Sequence, residues 1–456
     1  VSFERQCPER GRQILKTIKK VLTALSIASI AVVLFGCLRI TAEELYSLPR
    51  LTEQDLMLQR HISAVLDTGA EFSPPTGGPN RQAVQMKDLN GNGVDEVIAF
   101  FSLPEEGTQK IYIFQMVDGD YVIADIIEGV GTAIESIRYV DMDGDGIMEL
   151  VIGWQMGAAL QHMEIFSIRD FQHVRLARVE YAEIAVHDLT GNGNSDVVAI
   201  RLPTPDTVAI AEVFTLMPDQ EILSFEARLS KGIDAITRVQ TGMLTDGVSA
   251  VFIESEGRFN DGSIVTDICI LQDGIFVNIS MRMPEGISTF TVRDRMNSAD
   301  IVRDGGIAVP VPRLLAAQSE TEYYAIDWYG FDSSGHSRLV LTTFHNIFDE
   351  WYLILPFDWR DRVSVRREGA VQGERTVIFS YIAGDGGSFE DFLRIHRLTG
   401  DRGRQRANLP GRTAMRTEGA SIYALELIAP PNSFGLTFDE DLIRANFRLV
   451  YADWLW

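Results

Sequence analysis

Asp141-Met-Asp-Gly-Asp-Gly-Ile-Met-Glu149, running directly into Leu150-Val-Ile-Gly-Trp154, is the stretch on which the reading of this 456-residue chain turns. Oxygen-bearing side chains stand at its positions one, three, five and nine, and position seven offers a backbone carbonyl. A hard cation that takes several oxygens at about 2.3–2.6 Å suits this set, so calcium is the expected ion. The pattern occurs twice more, as Asp88-Leu-Asn-Gly-Asn-Gly-Val-Asp-Glu96 and Asp188-Leu-Thr-Gly-Asn-Gly-Asn-Ser-Asp196. Candidate ligands are Asp88, Asn90, Asn92, Val94 and Glu96 in loop one, and Asp141, Asp143, Asp145, Ile147 and Glu149 in loop two. In loop three they are Asp188, Thr190, Asn192, Asn194 and Asp196.

Position six is glycine each time (Gly93, Gly146, Gly193), where the chain must turn sharply and a side chain at positive φ would clash. An EF-hand would carry a bidentate Glu at position twelve and continue as a helix, but position twelve is Ala99, Ile152 or Ala199. Each loop is succeeded instead by an apolar, β-branched and aromatic run: Val97-Ile-Ala-Phe-Phe101, Leu150-Val-Ile-Gly-Trp154 or Val197-Val-Ala-Ile200. All three are expected to lead into a β-strand.

In these residues the chain resembles the FG-GAP and VCBS repeat families, whose calcium loops connect strands in β-propeller blades such as those of integrin alpha subunits. The resemblance implies a mainly β fold, a β-propeller built from such repeats. Loops beginning at 88, 141 and 188 recur at about 50 residues, which fits blade-sized units. Two fainter echoes come later in the chain: Gly242-Met-Leu-Thr-Asp-Gly247 before Ala250-Val-Phe-Ile253, and Asp300-Ile-Val-Arg-Asp-Gly-Gly306 before Ile307-Ala-Val-Pro310. They read as units that kept the turn and lost the ion, and the five units leave the blade number open.

Loop two carries four carboxylates, which repel one another without a cation, so it is expected to bind most tightly. Loops one and three mix fewer charges with Asn90, Asn92, Thr190 and Asn192 and are expected to be weaker. Two readings stay open for these two: a calcium that ties strands together, or Asp and Asn side chains that close turns onto the backbone with no metal.

Near the N-terminus Lys16, Lys19 and Lys20 precede an apolar run from Val21 to Phe35, ending at Leu34-Phe-Gly-Cys37. This is similar to a bacterial lipoprotein signal peptide, with Cys37 as the lipidated residue, although Phe35 departs from the small or aliphatic residue usual there. The run is short for a membrane-spanning helix. The resemblance implies an anchor on the extracytoplasmic face of the bacterial cell membrane. Removal of residues 1–36 would take away Arg5, Arg10, Arg12, Lys16, Lys19 and Lys20 against Glu4 and Glu9, deepening a formal charge of −23. So acidic a surface repels nucleic acid. Of three cysteines only Cys269 would remain for the folded part, in an apolar run that predicts a small core residue.

Four segments are expected: a leader (1–36), a helix and linker (37–80), a propeller-like repeat domain (81–345) and a small α+β domain (346–456). Leu58, Ile62 and Val65 share a helical face over about Glu53–Asp67, and Ser73-Pro-Pro-Thr-Gly-Gly-Pro79 reads as a turn-rich linker. Asp-Gly pairs in Val117-Asp-Gly-Asp-Tyr121 and Leu271-Gln-Asp-Gly-Ile-Phe276 predict tight hairpins. A last echo is Asp327-Trp-Tyr-Gly-Phe-Asp-Ser-Ser-Gly335. In the tail, Thr437-Phe-Asp-Glu440 predicts a capping box opening a helix with Leu442, Ile443, Phe447 and Val450 as its apolar stripe. Trp351, Tyr352, Trp359 and Trp454 are read as core, with a ligand platform as the competing use.

No Gly-x-Ser-x-Gly elbow, His-Glu-x-x-His helix or Walker loop is present, and the seven histidines lack ligand spacing. The leading functional expectation is a calcium-binding, lipid-anchored scaffold that binds a protein or glycan partner of the cell envelope. The alternative is a surface carbohydrate-active hydrolase with its site in the propeller channel or at the domain junction.

Overall fold

A computed structural model describes residues 53–129, 131–158, 160–257, 263–282, 290–292, 296–371, 373–384 and 388–450. The expected leader, Cys37 and Trp454 lie outside these residues. The described residues fall into two compact units: one holds Glu53–Thr68 together with Met116–Val122, the other the remaining described residues. In the first unit helix α1 (Glu53–Leu66) spans the segment expected to be helical and carries Val65 as its buried residue. His61 Nε2 lies 3.1 Å from Asp120 Oδ1 at the hairpin tip.

The strands form antiparallel sheets, six among the described residues, and none of them closes on itself. Sheet I comprises Val84–Lys87, Glu96–Leu103, Thr108–Val117 and Asp120–Gly129, with Glu71–Phe72 added beside the second strand. Sheet II is Ala133–Val140, Glu149–Gln155, Gln161–Ser167 and Val174–Tyr181; sheet III is Glu183–His187, Asp196–Arg201, Ile210–Leu216 and Ile222–Arg228. Sheet IV runs Ile233–Met243, Ser249–Gly257, Ser263–Gln272 and Ile275–Asn278, with Phe290–Val292 beside its third strand. Sheet V holds Val309–Leu314, Tyr324–Phe331, Ser337–Asn346, Trp351–Leu355 and Phe447–Leu449. Sheet VI holds Val363–Val371, Glu374–Ala383, Ser388–Leu398, Ser421–Leu427 and Arg412–Glu418 in that order of pairing. The predicted Asp-Gly hairpins form, with Asp118, Gly119, Asp273 and Gly274 all at positive φ.

Consecutive sheets share cores, which explains why the second strands read as unbroken apolar runs. Successive side chains on a strand point to opposite faces, so a strand buried on both faces needs apolar residues at every position. On one face of sheet II, Leu150, Ile152 and Trp154 pack with Ile98 and Phe100 of sheet I. On its other face Val151 packs with Val197 and Ala199 of sheet III. Val198 and Ile200 then meet Val251 and Ile253 of sheet IV, whose Ala250 and Phe252 meet Val309 and Phe331 of sheet V. Sheets V and VI join through Phe344, Trp351, Val377, Phe379 and Leu393. Cys269 is fully buried within sheet IV, as its apolar surroundings predict.

The C-terminal expectations need correction. The expected boundary at 345 falls inside the strand Ser337–Asn346, and the tail is mostly strand, with only two short α-helices, α2 (Gly403–Ala407) and α3 (Glu440–Asn446), among the described residues. Helix α3 is capped by Asp439, whose Oδ1 accepts the Leu442 amide at 2.8 Å, and Thr437 is not its cap. The predicted stripe is cut short because Phe447–Leu449 pairs with Trp351–Leu353 at the edge of sheet V. A free sheet edge offers backbone partners that outweigh one more helical turn. Asp327 is no loop residue: it is buried mid-strand and held by Arg313 Nε at 2.9 Å, Arg360 Nη2 at 3.0 Å and Thr342 Oγ1 at 2.7 Å. Trp351, Tyr352 and Trp359 are buried core residues.

Truncating Ile152, sandwiched between sheets, to Ala should cost about 2–5 kcal/mol in urea unfolding. The same change at exposed Ile123 should stay within about 0.5 kcal/mol. A pH signature is expected from His345, which stacks on Tyr352 at 5.1 Å and reaches Thr343 Oγ1 at 2.9 Å. Burial pushes its pKa down to about 3. The unfolded chain therefore takes up a proton near pH 6.5 that the native state refuses. Stability from this source is complete above about pH 6.5 and falls as pH drops towards 3; His345→Gln should flatten that limb of a pH series of melts.

Candidate metal centre

Each acidic loop joins the first and second strands of its sheet, and all three do so in one register. Lys87 pairs with Glu96, Val140 with Glu149 and His187 with Asp196, so position nine is the first residue of the second strand. That placement buries the carboxylates: Glu96, Glu149 and Asp196 are each no more than 2% exposed. A buried carboxylate needs donors. The amide of position two supplies one every time: Leu89 N to Glu96 Oε2 at 2.9 Å, Met142 N to Glu149 Oε2 at 3.1 Å and Leu189 N to Asp196 Oδ2 at 2.9 Å.

A common lattice holds the rest of the loop. The position-one carboxylate accepts the amide of the position-six glycine: Gly93 N to Asp88 at 2.8 Å, Gly146 N to Asp141 at 3.1 Å and Gly193 N to Asp188 at 2.8 Å. Position five accepts the amide of position seven, from Val94 to Asn92, Ile147 to Asp145 and Asn194 to Asn192. These are Asx-type closures, made possible by glycines at positions four and six that all lie at φ between +70° and +91°. The Asp300 echo keeps the same geometry, with Gly305 N donating to Asp300 at 2.9 Å and Gly306 N to Asp304 at 2.9 Å. Its Val302 and Ala308 bring no side-chain oxygen at positions three and nine. The Gly242–Gly247 echo retains a bare hairpin turn closed by Leu244 N to Val248 O at 2.8 Å.

The three loops also stack on one another. Met148 N donates to Leu89 O at 2.8 Å, and Ser195 N donates to Asp141 O at 3.3 Å. A Cβ at Gly91 would lie 2.7 Å from Gly146 O, and one at Gly144 would lie 2.4 Å from Asn194 Oδ1. Between loops two and three a cavity of about 300 Å³ is lined by Asp141, Gly144, Gly193 and Asn194 among others.

Donor satisfaction separates the loops. In loop three Asp188 accepts four protein donors, and Asp196 Oδ1 accepts the Thr215 hydroxyl at 2.7 Å. In loop one Asn90 Nδ2 donates to Glu96 Oε1 at 3.0 Å, while Asp88 Oδ1 is buried with no hydrogen-bond partner among the described residues. Loop two shares with loop one a buried carboxylate oxygen without a partner, and adds to it a convergence of three carboxylates. Glu149 is 0% exposed, and its Oε1 has no hydrogen-bond partner among the described residues. One oxygen each of Asp141, Asp143 and Glu149 lie within 4.8 Å of one another. Burial, with Asp143 and Asp145 adding to it, raises the Glu149 pKa to about 7 against the pull of the Met142 amide and Arg169. Three converging carboxylates with an unsatisfied buried oxygen fit a hard divalent cation, and a set with no imidazole or thiolate points to calcium or a like ion rather than zinc.

Asp145, the fourth carboxylate of loop two, does not join that cluster. Arg169 Nη2 contacts its Oδ2 and lies 2.8 Å from Asp143 Oδ2, which also accepts Gln220 Nε2 at 2.5 Å. Nothing in the sequence marks Arg169 or Gln220, which come from hairpin turns of sheets II and III; only the excess negative charge of loop two hints at a protein cation nearby. Compared with known proteins, the chain matches no family model, and no curated protein shows significant similarity to it.

Gly93→Ala, where a Cβ meets open space at φ +83°, should cost about 1–2 kcal/mol in denaturant unfolding from backbone conformation alone. Gly91→Ala adds a clash with the backbone of loop two and should cost clearly more. Equal losses would show that the loops do not stack in solution.

Proposed function

We propose that this chain is a calcium-binding scaffold whose loop two holds the principal ion, and that its successive four- and five-stranded antiparallel sheets are blades of a β-propeller of the FG-GAP/VCBS kind. The observation that carries the reading is the convergence of Asp141, Asp143 and Glu149, the last with a buried oxygen that has no hydrogen-bond donor among the described residues. The shared lattice of all three loops and the face-to-face packing of successive sheets support it. Calcium held there would bridge a loop to the head of a strand that two sheets bury, and so stiffen the stack rather than perform chemistry. A rigid array of this kind presents its loops as a binding surface, which suits recognition of a protein or glycan partner in the cell envelope. The lipoprotein-like leader supports an extracytoplasmic, lipid-anchored setting.

An ion that binds only the native state stabilises it by mass action, by about 2.7 kcal/mol at a hundredfold excess over Kd. Chelation with EGTA should therefore lower the thermal midpoint by several degrees, and calcium should restore it. Asp143→Ala combined with Asp145→Ala should abolish most of that response. A wild-type melt indifferent to EGTA would end the calcium reading.

A further inference from the structure

Arg169 stands in an unusual place. The turn Arg169–Phe171 comes after the third strand of sheet II, and its residues Asp170 and Phe171 both adopt left-handed backbone, at φ +53° and +52°. Neither is glycine, and L-residues with a Cβ adopt this region at an energetic penalty. The turn is pinned regardless: Phe171 packs against the core between sheets I and II, and His173 N donates to Asp125 Oδ2 at 2.9 Å. The result is a guanidinium delivered to loop two, with one nitrogen, Nη2, in contact with both Asp143 and Asp145. The Asp143 side chain is only 2% exposed, whereas Arg169 and Asp145 are partly open to solvent, so the contact is shielded on the Asp143 side.

We infer that Arg169 is a tethered counter-cation that competes with the divalent ion for loop two and sets the affinity of the site. The inference rests on the calcium reading and goes beyond it. Asp143 belongs both to the three-carboxylate cluster and to the arginine contact, so one carboxylate faces two cations. A divalent ion among Asp141, Asp143 and Glu149 draws electron density from Asp143 and repels the guanidinium beside it. Binding therefore includes the loss or weakening of the Arg169 contacts, and the site is weaker than its four carboxylates alone would make it. In exchange, Arg169 relieves carboxylate repulsion when calcium is scarce, so the loop keeps its shape. In loops one and three the strand-heading carboxylates are held by amides and by the neutral side chains of Asn90 and Thr215; these loops carry fewer charges and need no such relief.

The test is calorimetric titration of calcium chloride into the full chain and into Arg169→Gln, with thermal melts of both in EGTA. Arg169→Gln should bind calcium at least about tenfold more tightly and melt at a lower temperature than wild type in EGTA. Affinity equal to or weaker than wild type would overturn the inference, because the arginine would then be supporting the site or irrelevant to it. Arg169→Lys, which retains a cation with a single-point contact, should fall between the two and serves if the glutamine variant does not fold; an unchanged or lower affinity in it counts against the inference equally. Binding seen only in the variant would support it. Absence of binding in every protein would remove the calcium reading itself and the inference with it, an outcome distinct from wild-type binding that the variants leave unmoved.

Discussion

A carboxylate buried at the head of a strand is the constraint on which the rest of the repeat depends. Glu96, Glu149 and Asp196 each open a strand that is packed on both faces, where water cannot solvate a charge. The preceding eight residues must therefore fold back to bring a donor, and the position-two amide does so in all three loops. That requirement fixes the sharp turn, the turn fixes the glycines, and the position-one aspartate locks it by accepting the amide of position six. Where the position-nine oxygen is absent, as in the Asp300 echo, the turn is held by its local hydrogen bonds and by backbone bonds to Met243.

The three loops solve the same electrostatic problem differently. In loop three, neutral donors, including the Thr215 hydroxyl from the neighbouring strand, satisfy both acidic groups. Asn90 satisfies Glu96 in loop one, where Asp88 Oδ1 finds no hydrogen-bond partner among the described residues. Loop two, with the most charge, is left with an unsatisfied oxygen on Glu149 and recruits Arg169 to Asp143 and Asp145. One sequence pattern thus yields a corner of converging carboxylates in loop two and, in loop three, a turn whose acidic groups find protein donors.

Stacking carries these local devices over a longer range. Backbone bonds from Met148 to Leu89 and from Ser195 to Asp141 tie each loop to the next, and the sheets behind them share cores in the same order. A change in one loop is therefore felt by its neighbour through glycines that leave no room for a side chain. The aromatic tail takes a different part: Trp351, Trp359, Phe379 and Phe447 fill the core joining sheets V and VI, and the last described strand closes the edge of sheet V.

Local rules made much of this legible. The register of the three loops, the strands after them, helix α1, the Asp-Gly hairpins and the burial of Cys269 all depend on residues close in sequence, whose φ preferences and periodicity act without distant partners. Sequence by itself also determined where acidic oxygens concentrate. Only the tertiary structure decided which of them converge, because Arg169 and Gln220 reach loop two from other hairpins and Thr215 reaches Asp196 from the next strand of sheet III. The fate of the tail was decided in the same way: Phe447–Leu449 carries a helical pattern, but an unpaired strand edge formed about a hundred residues earlier in the chain offered its backbone better partners.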